Sequence, residues 1–149
     1  MRKSSILLPI FGLLLLISEV GYSAHCDFAA NVRSASHDLD TRAQHFHHLI
    51  HAISGYSHLA SDAHRLAAAS RHLHDVAHSS ASCSHIRADF YNVERAFYHL
   101  QYEYEHAHST HHNYHVARDW SRVDYAFSRV RRAIYGWDDH HLSVFDTQN

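Results

Sequence analysis

Histidine dominates the chemistry available to this chain: 20 of its 149 residues are histidines. The stretch "HSTHHNYHVARDW", residues 108–120, carries His108, His111, His112 and His115. Neutral imidazole ligates zinc, copper and nickel, and two imidazoles four residues apart on a helix can grip one ion from adjacent turns. His47 and His51 have that spacing, as do His108 with His112 and His111 with His115. These six are the candidate metal ligands. Imidazole also changes charge near pH 6.5, so an acid-responsive surface is the competing chemistry.

A second pattern recurs three times. His58 precedes Asp62, His85 precedes Asp89 and His115 precedes Asp119, each by four residues. On a helix each pair shares a face. The pair can ligate a metal jointly, or the carboxylate can orient the imidazole. Alternatively, the aspartate simply favours the helix N-terminal half through the macrodipole and a local hydrogen bond.

Other chemistries are not supported. The surroundings of Cys26 ("HCDF") and Cys83 ("SCSH") lack the CxxCH motif that covalent haem needs, so no haem is expected. There is no nucleophile elbow, phosphate loop, HExxH or paired CxxC, and the Glu-x-x-His spacings Glu103–His106 and Glu105–His108 overlap in one stretch rather than coming from separate helices. An enzyme is therefore not expected. Fifteen acids against thirteen lysines and arginines leave no basic excess for nucleic acid.

Four stretches with apolar residues on alternating steps of four and three, the first broken only at Arg42, must position these side chains. They run Phe28–Val32–Ala35–Leu39–Arg42–Phe46–Leu49–Ile53, Leu59 to Ala77, Ile86 to Tyr104, and Val116 to Trp137. That spacing predicts amphipathic helices with coiled-coil-like packing. The last three stretches align with one another from His58, His85 and His115, as duplicated helices would. Short polar connections predict antiparallel neighbours, hence an all-α, up-down-up-down four-helix bundle. Ser57, Ser82 or Ser84, and Thr110 or Asn113 are the expected N-caps.

The first residues read as a signal peptide: Arg2 and Lys3, an apolar run from Ile6 to Ile17, then small residues. Cleavage is expected after Ser23, giving residues 1–23 as signal, 24–137 as the bundle and 138–149 as a tail. A secreted or periplasmic location follows, with no membrane span retained after cleavage. In such a compartment two cysteines suggest a disulfide, and the topology brings Cys26 and Cys83 to one end of the bundle. The expected function is binding or buffering of zinc, copper or nickel. The alternative is an interaction bundle with a pH-responsive histidine surface and contact tyrosines such as Tyr98 and Tyr102.

Overall fold

The computed structural model describes residues 28–79, 81–107 and 113–136. The expected signal segment, the tail, Cys26, His108, His111, His112 and Trp137 lie outside the described residues. The described chain is all-helical: α1 (Ala29–His51), α2 (Ser57–His78), α3 (Cys83–His106) and α4 (Tyr114–Tyr135). No helix among these residues is long and apolar enough to cross a membrane.

The apolar stripes of α2, α3 and α4 bury nearly as their spacing predicts. Leu66, Leu73, Ile86, Phe90, Val93, Leu100, Val116, Val123 and Val130 are all fully enclosed. Trp120 is half-buried. In α1 the stripe departs from strict alternation after Leu39 and continues through Ala43, Phe46 and Ile50. Arg42 and Leu49 were the expected positions; Arg42 is exposed and Leu49 half-buried. The reason is electrostatic and steric. A guanidinium resists burial without a partner, while Ala43, one residue on, fills the same layer.

Helix ends follow local chemistry. Ser82 caps α3 by accepting from the His85 amide at 3.3 Å. Asn113 caps α4 by accepting from the His115 and Val116 amides at 3.1 and 3.4 Å. The expected cap Ser57 is instead the first helical residue of α2; Tyr56 holds the cap position and makes no side-chain cap bond. Gly55, with φ of +94°, turns the chain between α1 and α2 in a conformation that other residues rarely adopt.

Each seam between neighbouring helices has its own chemistry. α1 and α2 pack most closely, and both bury small residues: Ala35, Ser36 and Ala43 on α1, and Ala63, Ala67, Ser70 and Ala77 on α2. Arg33 Nε donates to the Ala77 carbonyl at 3.0 Å and Gln44 to the Ala67 carbonyl at 3.3 Å. The α3–α4 seam is aromatic. Phe97 stacks on Phe127 with ring centroids 3.8 Å apart, and Trp120 stacks on Tyr104 at 4.8 Å. The α2–α3 and α1–α4 seams are bridged by acids and bases, and these create the candidate site. Cys83 opens α3 and is not a free thiol.

Candidate metal centre

The three aspartates of the repeat are buried. Asp62 is 5% exposed, Asp89 8% and Asp119 3%. A buried carboxylate is costly unless it is paired or hydrogen-bonded. Each therefore draws a basic side chain from the adjacent helix. His99 Nδ1 of α3 lies 3.2 Å from Asp62 on α2, and His72 Nε2 of α2 lies 3.4 Å from Asp89 on α3. His45 Nε2 of α1 lies 3.1 Å from Asp119 on α4, and Arg129 of α4 lies 3.2 Å from Asp38 on α1. The contacts are reciprocal on both seams.

The basic partners hold equivalent places in the repeat. His72, His99 and Arg129 follow the leading histidines His58, His85 and His115 by fourteen residues. Of the three His-x-x-x-Asp pairs, only His85–Asp89 is closed among the described residues, with Nε2 at 3.1 Å from Oδ2.

What separates the three aspartates is the residue three positions on. Arg65 donates to Asp62 at 3.0 Å, and Arg122 donates to Asp119 at 2.9 Å. Asp119 also accepts from Arg118 and makes an aligned hydrogen bond with His45. The corresponding residue after Asp89 is Asn92, which is exposed and carries no charge. Asp89 Oδ2 is consequently buried with no hydrogen-bond partner. The His85 nitrogen approaches it to 3.1 Å, but outside hydrogen-bonding alignment.

His72, His85 and Asp89 thus offer three ligand atoms that all lie within 4.8 Å of one another. Metal bonds of 2.0–2.2 Å in a tetrahedron place neighbouring ligand atoms roughly 3.3 Å apart. The nitrogen–oxygen separations, 3.1 Å from His85 to Oδ2 and 3.4 Å from His72 to Oδ1, are close to that spacing, each to its own carboxylate oxygen. Both imidazoles are more than half exposed, so an ion reaches them from solvent. A second group, Asp62, His99 and Glu103, meets the same distance criterion.

The six histidines expected from spacing are placed differently. His47 and His51 are ring neighbours at 5.9 Å, and His47 also meets His64 of α2 at 5.0 Å. Partial burial, then the neighbouring His64, His48 and His51, push the His47 imidazole below its ordinary value of 6.5. That favours the neutral, ligating form. His115 is exposed in the first turn of α4; His108, His111 and His112 lie outside the described residues. Spacing along one helix missed His72 and His99, because their carboxylate partners sit on another helix. The usable signal was the fourteen-residue offset within the repeat.

No family model matches the chain, and no curated protein or solved structure matches it.

Proposed function

We propose that this protein is a secreted or periplasmic bundle that binds or buffers a transition-metal ion: zinc, copper or nickel. Its principal centre is His72, His85 and Asp89 on the α2–α3 seam. His47, His51, His108, His111, His112 and His115 act as peripheral donors. The observation that carries this reading is Asp89. Its two sister aspartates are neutralised by Arg65 and Arg122, whereas Asp89 meets two imidazoles, His72 at Oδ1 and His85 at Oδ2, and keeps Oδ2 buried without a hydrogen-bond partner. A cation would satisfy that oxygen.

The ligand set favours borderline ions. Two imidazoles and a carboxylate suit zinc, copper and nickel better than calcium or magnesium, which prefer oxygen alone. The role is binding rather than catalysis: exposed imidazoles let ions enter and leave without a lid.

The helices are taken to run alternately up and down. Contacts from α1 to α2 pair 33 with 77 and 44 with 67, and those from α2 to α3 pair 62 with 99 and 72 with 89. Rising numbers on one helix meet falling numbers on the next. In that topology Cys83, at the start of α3, lies at the end remote from His47 and His51, and we propose that it is bonded to Cys26.

Isothermal titration of the purified protein with zinc, copper and nickel tests the reading. Uptake tighter than about 10 μM, corresponding to about 7 kcal/mol, is expected, with Asp89→Asn removing the tightest event. If none of the three ions binds that tightly, the reading is wrong. The competing reading, an acid-responsive interaction surface, rests on exposed Tyr91, Tyr98 and Tyr102 along α3. It predicts association that EDTA leaves unchanged.

A further inference from the structure

We infer that the α2–α3 seam carries a second, weaker metal site, made of Asp62, His99 and Glu103 and completed by His58. The inference rests on the metal-binding reading above and extends it to residues that spacing alone would not assemble.

The seam has an approximate two-fold character. His72 of α2 reaches Asp89 of α3, and His99 of α3 reaches Asp62 of α2. Exchanging the two helices therefore maps one site onto the other. His85 stands four residues before Asp89, and its counterpart before Asp62 is His58. His58 is exposed in the first turn of α2, on the face that carries Asp62. A rotamer change like the one His85 already adopts would bring its ring to the carboxylate. Glu103 stands four residues after His99 and adds a donor that the first site lacks, since the matching position on α2 is Val76. The completed set is two imidazoles and two carboxylates, suited to a divalent first-row cation such as zinc.

Arg65 makes this site the weaker one. It donates to Asp62 Oδ1 at 3.0 Å, while Oδ2 faces His99. Oδ2 can still ligate with Arg65 holding the other oxygen, as the outer partners of metal-bound carboxylates do. The guanidinium charge nevertheless opposes a cation. Arg95 lines the same open groove of about 500 Å³, together with Arg65, Tyr98 and His99, and adds to that opposition. The principal site has Asn92 where this one has Arg65, and so fills first.

Zinc titration of the purified full chain, followed by calorimetry and native mass spectrometry, tests the second site. Asp89→Asn should remove the tightest zinc and leave a weaker one. Arg65→Asn should strengthen that weaker event tenfold or more, and adding His58→Ala to Arg65→Asn should cancel most of the gain. All three positions are exposed or tolerate a near-isosteric change, and circular dichroism checks that the helices persist. If Arg65→Asn leaves every weaker event unchanged, the second site is refuted while the principal one stands. A gain that survives undiminished without His58 overturns the four-donor assignment. Absence of zinc binding in both the unaltered chain and Arg65→Asn overturns both proposals.

Discussion

Replacing Asn92 with arginine should close the principal metal site while leaving the fold intact. The structure supplies the two precedents. Arg65 and Arg122, each three residues after a buried aspartate, reach the carboxylate at 3.0 and 2.9 Å. Asn92 is exposed on the same helical face relative to Asp89. An arginine there should reach Asp89 in the same way and supply the missing hydrogen bond to its buried oxygen. The energetic effect on metal uptake follows from Coulomb's law. A guanidinium about 4 Å from a dication opposes it by about 8 kcal/mol at an effective dielectric of 20, and by about 2 kcal/mol in bulk water. The side chains of Arg65 and Arg122 are 66% and 47% exposed, so the lower figure is the appropriate guide. At about 1.4 kcal/mol per tenfold, Asn92→Arg should weaken the tightest ion at least about thirtyfold. Stability should rise, by roughly 1 kcal/mol, since the buried carboxylate oxygen gains a charge-assisted hydrogen bond from a partly exposed side chain and arginine is the better helix former. Paired zinc calorimetry and thermal melts measure both quantities. Unchanged zinc affinity in a normally folded Asn92→Arg protein would show that Asp89 is not the ligand and sink the argument from the repeat.

Three further outcomes are expected. His47 holds its proton less readily in the folded chain than in the unfolded one, through burial and then through His64, His48 and His51. Above the ordinary value of 6.5 neither state carries the proton; as pH falls below it the unfolded state binds first, so stability is lost on acidification. His47→Ala should shrink the drop in melting temperature between pH 7 and pH 5, and an unaltered drop would contradict this. Phe127 is 3% exposed and stacks face to face on Phe97; Phe127→Ala should cost about 3–5 kcal/mol in denaturant unfolding, against a much smaller loss for the exposed Tyr125→Ala. Cys83→Ser should lower the melting temperature, by up to about 4 kcal/mol of stability in the chain-entropy model, without abolishing metal uptake. Labelling of free thiols at both Cys26 and Cys83 in the native protein would refute the bond.

Much of the fold was legible because helix formation is local. Alternating steps of three and four define an apolar face wherever they occur, and Ser82 and Asn113 cap within reach of their own helices. The exception in α1 has a local cause too: Arg42 and Ala43 are neighbours, and a stripe of period near 3.6 passes between them. Which one entered the core was decided by the packing of the neighbouring helices, against which a small residue fits and a charge does not.

The candidate site lay on the other side of that division. The sequence alone determined that His85 and Asp89 share a helix face and that the pattern occurs three times. It also held the difference between Asn92 and its counterparts Arg65 and Arg122. None of this had meaning until the aspartates were known to be buried. Burial, and the meeting of His72 with Asp89 and of His99 with Asp62, depend on which helices adjoin and in what register. Those quantities are set by the packing of the whole core. Contacts within one helix are fixed by its pitch, so they can be read along the chain; contacts between helices are fixed by the summed burial of every apolar side chain, and only the tertiary structure decided them.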